Sequence, residues 1–154
     1  MSITYQTERY VEFIGDATEL LKAHWQEIAL NRDAVPLNVD HVSYNQLDER
    51  GQLLIVTARD AAQLVGYLTY FIRPQGHLHY LGTPWAESDM FYVAPEYRKG
   101  GVGRGLIGRA EDALRGRGVS IVHTRTKNDH PDAGRLFEHM GHVAIETVHA
   151  KVLF

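Results

Sequence analysis

The densest run of chemistry-bearing residues is "RKGGVGRGLIGR", residues 98 to 109, with five glycines and four cations in twelve positions. Glycine lets a backbone approach an anion without a Cβ in the way, and cations at the rim add charge. Three phosphate-binding patterns compete for the stretch. A Walker loop needs Gly-Lys followed by Ser or Thr, and no glycine here provides it. Gly103 to Gly108 spell G-x-G-x-x-G, but that fingerprint wants a strand ending at its first glycine. Nine residues, Pro95 among them, separate Val93 from Gly103. The third pattern, [QR]-x-x-G-x-[GA], is met by Arg98, Lys99, Gly100, Gly101, Val102 and Gly103 at the mouth of a helix. Gly103, Gly105 and Gly108 would lie inside that helix, weakening it by about 3 kcal/mol in all relative to alanine. Close packing or ligand approach must offset that cost.

Glu87 and Asp89 alternate onto one face of the strand upstream of the loop. His77 and His79, in "GHLHY", would share a strand face and could form half of a metal site. No second pair has ligand spacing, so no metal is expected. With no cysteine in the chain, disulfides, thiolate chemistry and Cys-ligated metals are all excluded.

The elements that must position these residues follow from periodicity. "ITYQTER" reads as a strand. "DATELLKAHWQEIAL" then reads as a helix with Asp16 as N-cap and Ala17, Leu20, Leu21, His24, Trp25 and Ile28 on one stripe. "VDHVSYNQLDERG" reads as a short helix capped near Asp40 and stopped at Gly51. "QLLIVTAR", "QLVGYLTYFIR", "HLHYLG" and "SDMFYV" read as an antiparallel meander. A helix over 102–116, strand "VSIVHTRT", helix "PDAGRLFEHM" ended by Gly141 and a final strand "HVAIETVHAKVLF" complete a mixed sheet of the α/β (α+β) class.

At 154 residues, without repeats or linker-like tracts, the chain reads as a single domain, 1–154. No basic leader followed by an apolar run opens it, and no stretch approaches ~20 apolar residues, so a cytoplasmic protein without a membrane partner is expected. Sixteen Lys+Arg against nineteen Asp+Glu give −3, which argues against nucleic acid as a partner. Six cations crowded between Arg98 and Arg117 still favour a local anion site.

"DMFYVAPEYRKGGVGRGLIGRAEDAL" resembles the acetyl-CoA-binding motif of the GCN5-related N-acetyltransferases (GNAT), with strand, loop and helix in the family's order. "HPDAGRLFEHMGH" is similar to the family's later helix motif, and the element order fits its fold from about residue 3 onward. The resemblance implies a mixed, mostly antiparallel twisted sheet flanked by helices, with strands 4 and 5 splayed. It also implies transfer of an acetyl group from acetyl-CoA to a primary amine, on a small molecule or a peptide, by direct attack. On that reading Phe91, Tyr92 and Val93 pair with the pantetheine arm, and the loop from Arg98 to Arg104 holds the pyrophosphate.

A lysine-like amine must lose a proton before it attacks, at a cost of about 4.6 kcal/mol at pH 7. A base is therefore expected. By resemblance Glu87 or Asp89 stands near the family's carboxylate base, with His123 on the neighbouring strand as a third candidate; solvated carboxylates at a strand start are the plain alternative. "HLHY" is similar to phage- and prophage-borne members, and on that resemblance His77, His79 and Trp85 line the acceptor pocket; partly buried strand histidines are the alternative. The family's proton-donating tyrosine falls on Phe137 and its asparagine on His130, so no catalytic acid carries over. That departure keeps open a weak or inactive acyl-CoA-binding sensor or scaffold with the same fold. A homodimer stays open too.

Overall fold

A computed structural model describes residues 2–154. Strand β1 (Ile3–Thr7) leads into helix α1 (Tyr10–Ile28). Helix α2 (His41–Glu49) precedes strands β2 (Leu53–Asp60) and β3 (Gln63–Arg73), the short strands β4 (Gly76–His77) and β5 (Tyr80–Leu81), and strand β6 (Trp85–Val93). Helix α3 (Val102–Gly116), strand β7 (Ile121–His123) and helix α4 (Pro131–His139) follow. The main sheet has the order β1-β2-β3-β6-β7, antiparallel throughout except for the parallel β6–β7 pair. None of the described helices is long and apolar enough to cross a membrane.

The apolar runs of β2 and β3 are continuous because both faces of the sheet are covered. On one face Leu54, Val56, Leu68 and Tyr70 pack with Leu106, Ile107, Ala110 and Leu114, the buried stripe of α3. On the other, Leu53, Ile55, Tyr67 and Tyr92 pack with Tyr10, Phe13, Ala17 and Leu21 of α1. Each fully buried leucine or isoleucine contributes about 2 kcal/mol. Together the two layers fix the sheet edges that carry the candidate site.

Four local expectations differ from the structure. Helix α1 starts six residues before Asp16, because Tyr10 and Phe13 extend its apolar stripe and the Glu12 carboxylate accepts from the Arg9 amide at 3.1 Å, satisfying an amide at the helix entry; Asp16 lies within the helix, paired with Arg59 at 2.9 Å. "HLHYLG" is a separate two-stranded hairpin, β4–β5, and not a strand of the meander. Leu78 and His79 form its turn, so His77 and His79 meet across a turn rather than along a strand face. β7 stops at His123, because beyond it the Arg125 amide donates to the Ser88 hydroxyl at 2.9 Å rather than to the ladder. The final segment, 142–154, is no strand: its alternation is present, but no neighbouring strand pairs with it.

Candidate functional site

The glycine loop has a backbone geometry that suits an anion. Lys99 at φ 65° and Gly101 at φ 85° turn the chain left-handed twice within three residues, a geometry that gathers successive amides into a concavity. None of the six amides from Lys99 to Arg104 donates to the backbone among the described residues, where the first internal bond of the helix runs from Gly105 to the Gly101 carbonyl at 3.0 Å. They lie at the mouth of α3, where the dipole favours negative charge.

The loop's glycines divide by role. A Cβ on Gly103 would come within 2.8 Å of the Leu136 side chain and 3.3 Å of the Phe91 ring. A Cβ on Gly105 would run into the Tyr5 ring, whereas one on Gly108 would meet open space. Two of the three helical glycines therefore let α3 approach its neighbours. Of the cations, Lys99 and Arg104 form no ion pair among the described residues. Arg98 grips Glu27 of α1 through both guanidinium nitrogens, at 2.7 and 2.9 Å, and donates to the Val93 carbonyl at 2.8 Å. Its guanidinium lies over the Tyr92 ring, whose hydroxyl donates to the same Glu27 at 2.6 Å. Arg98 thus clips α1 to the end of β6, and its grip holds Glu27 far down, to about 2.

β6 carries the rest. It pairs with β7 only from Trp85 to Glu87, then continues to Val93, so Phe91, Tyr92 and Val93 have β3 on one side and no strand on the other. A bulge opposes both Asp89 and Met90 to Thr69 alone, whose hydroxyl accepts the Met90 amide at 3.0 Å. Such an extra residue re-aims side chains. Here it puts Met90 as well as Asp89 on the α1–α2 side of the sheet, where both line a cavity of about 390 Å³.

Asp89 accepts a 2.5 Å hydrogen bond from the Tyr44 hydroxyl. Burial pushes its carboxyl above the ordinary range and the nearby Glu87 adds to this, while the hydrogen bonds from Tyr44 and Thr69 pull the other way. A carboxylate raised in this manner suits a base working near neutrality. Glu87 is differently held, between Arg73 at 2.7 Å and Arg125 at 3.6 Å, with two cations competing for its lone pairs. His123 pairs in register with Glu87 and sets its ring edge-on to Trp85 at 4.9 Å.

Trp85 opens β6, at the end of that strand away from the glycine loop, and His77 and His79 belong to the β4–β5 hairpin just before it. His77 and Tyr80 pack with Trp85 at 6.0 and 6.3 Å, and the buried Trp85 indole nitrogen finds no hydrogen-bond partner among the described residues. This cluster does not line the cavity at Asp89. Among the described residues, no three His, Asp or Glu side chains are grouped to hold a metal. Phe137 is buried against Phe91 at 5.2 Å and against His142 at 5.0 Å, with no proton to give.

Several residues at the cavity escaped the sequence reading. Tyr44 is one. His24 is another: its Nδ1 shares a 2.7 Å hydrogen bond with Tyr67, and its ring stacks on Tyr92 at 4.8 Å. Burial lowers it to about 4, so it is neutral at pH 7. A histidine in the apolar stripe of α1 was the available signal, whereas nothing marked Tyr44, whose role depends on the bulge across the sheet.

The Acetyltransferase (GNAT) family model matches residues 17–142. No curated protein matches the sequence significantly. Among solved structures, an aminoglycoside acetyltransferase from an uncultured soil metagenomic sample superposes with a TM-score of 0.78 at 17% identity, covering 100% of this chain and 99% of that one. A ribosomal-protein-alanine N-acetyltransferase from Brucella melitensis biovar Abortus 2308 gives 0.74 at 17%, over 99% and 100%. A transcriptional regulator from Bacillus halodurans C-125 gives 0.76 at 22%, over 99% and 100%. At such identities the likeness is one of fold.

Proposed function

Because the chain belongs to the acetyltransferase (GNAT) family, we propose that it transfers an acetyl group from acetyl-CoA to a primary amine by direct attack. The observation that carries this reading is the run of amides from Lys99 to Arg104, none of which donates a backbone hydrogen bond of good geometry among the described residues, at the end of a strand that parts from its neighbour. The residues fit the cofactor: the amides and the free cations Lys99 and Arg104 suit a pyrophosphate, and the unpaired edge of Phe91 to Val93 suits an extended amide-bearing arm. When bound, acetyl-CoA supplies a thioester whose carbonyl carbon accepts the nucleophile.

Asp89 takes the proton from the incoming ammonium, directly or through water, and Tyr44 orients its carboxylate. With acetyl-CoA bound, the amine nitrogen would take the acetyl carbon as the C–S bond breaks, the nitrogen would release its second proton to solvent, and the thiolate would take one from solvent. Phe137 cannot supply that proton, and Tyr92 is a poor source, since burial and the Glu27 carboxylate push its hydroxyl up to about 12. With a thiol near pKa ~8.5, protonation by water at pH 7 needs no dedicated acid.

Calorimetry with acetyl-CoA followed by thiol release over an amine panel tests the proposal. Binding with turnover supports it. Binding without turnover on any amine points to the sensor or scaffold, and no binding sinks both.

A further inference from the structure

The cavity beside Asp89 has a composition that selects among amines, a step that rests on the acetyl-transfer reading. Its walls are mostly apolar: Phe13, Ile14 and Trp25 from α1, Val35 and Leu37 from the connection to α2, and Met90 from the bulge. The ionisable groups facing it are few. Asp89 lines it half-buried, Asp40 spends both oxygens on capping Ser43 at 2.9 and 2.6 Å, and Lys127 is on the lining as well. Lys127 offsets one carboxylate, and His24 adds no charge at neutral pH. The net is a single negative charge in a greasy pocket. A polycation would leave ammonium groups desolvated against carbon, which is expensive. A peptide backbone would find few polar partners. The volume, about 390 Å³, lies at the small end of small-molecule sites.

We propose that the acceptor is a small primary monoamine with a compact apolar body, an aryl or branched alkyl group seated against Trp25, Val35 and Met90 with its ammonium on Asp89. This is a different class from an aminoglycoside, whose several ammonium groups need several carboxylates.

Phenethylamine, spermidine, kanamycin and an alanine-initiated peptide, each assayed by thiol release with acetyl-CoA, distinguish the classes. The expected result is a kcat/KM for phenethylamine at least about tenfold above the other three. Calorimetric binding of phenethylamine should be lost in Val35→Glu, with the preference turning toward spermidine. Val35 is a partly exposed loop residue, so the variant should fold. Equal or better turnover of spermidine, kanamycin or the peptide overturns this inference while leaving acetyl transfer standing. Absence of thiol release with all four, despite acetyl-CoA binding, overturns the reading beneath it.

A second, independent observation concerns the last segment. Val143, Ile145, Val148 and Phe154 are 79, 68, 65 and 90% exposed, in a stretch of strand-forming alternation. No backbone hydrogen bond joins residues 143–154 to the rest of the described chain. β7 ends the sheet with an open edge, and the left-handed Gly141 at φ 94° leads the segment off. Among the described residues the chain thus holds an open edge and an extended segment of strand-forming sequence, which two copies related by a two-fold axis satisfy reciprocally. We infer that the segment adds to β7 of a second copy. Light scattering on the full chain should give twice 17.4 kDa, with slowed amide exchange over 143–153, and Ile145→Lys should return a monomer. A wild-type monomer overturns the inference, whether the segment exchanges freely or is protected by folding onto its own β7.

Discussion

At the scale of residues, two carboxylates on one strand have been given different electrostatic fates. Glu87 sits between two arginines, while Asp89 is half-buried and faces hydroxyl groups, Tyr44 and Thr69, with no cation paired to it among the described residues. If Asp89 is the base, Asp89→Asn lowers kcat mainly at neutral pH and recovers part of it at alkaline pH, where the amine deprotonates unaided. Glu87→Gln should keep the acidic limb and move it slightly to lower pH, because a negative neighbour of Asp89 is gone. The Tyr44 hydrogen bond lowers the Asp89 pKa, so Tyr44→Phe should move the acidic limb of kcat/KM to higher pH. An unmoved limb in both Asp89→Asn and Tyr44→Phe removes Asp89 from the mechanism. A parallel division holds among the cations. Arg104→Ala, which breaks no ion pair, should weaken acetyl-CoA with a shallower salt dependence. Arg98→Ala should cost stability as well, because it also releases Glu27 and the Val93 carbonyl. The candidate base was legible in the sequence as a strand carboxylate. Its separation from Glu87 was not, because the arginines and Tyr44 arrive from elements 14 to 45 residues away.

At the scale of elements, α3 was legible to the residue, because its stripe, its glycine entry and its spacing from β6 all agree. What the sequence could not divide was the work of its glycines, since this depends on which neighbour each one faces. Gly105→Ala drives a methyl into Tyr5 and should destabilise the fold by about 1–3 kcal/mol, the usual cost of overpacking. Gly108→Ala meets nothing and should stabilise it by about 1 kcal/mol through helix propensity. Urea unfolding of the two variants checks the contrast, and acetyl-CoA affinity should be unchanged in Gly108→Ala. Equal destabilisation by both would mean that backbone freedom, rather than packing, explains these positions. The hairpin β4–β5 was misread as one strand for a related reason. Its two-residue strands are too short to show alternation, and Leu78, 93% exposed, supplied an apolar residue where a turn stands.

At the scale of the whole molecule, the layer between α1 and the sheet links stability to the site, because the same residues serve both. His24 is held neutral between Tyr67 and Tyr92, lowered by burial to about 4 from an ordinary 6.5. The unfolded chain therefore takes up a proton near pH 6.5 that the folded chain refuses until about pH 4. Its contribution is complete above pH 6.5 and is lost as pH falls through that window, amounting to about 3 kcal/mol. Glu27, held at about 2 by Arg98, weakens the fold in a lower window, from its ordinary 4.5 downward. Acid unfolding should thus proceed in two stages of slope, the first assigned to His24 and the second to the Arg98 clip. His24→Gln keeps a polar partner for Tyr67 and should flatten the first stage while leaving the second. Urea midpoints measured from pH 7.5 to 3 would show this, and an unchanged slope between pH 6.5 and 4 would place the first stage elsewhere.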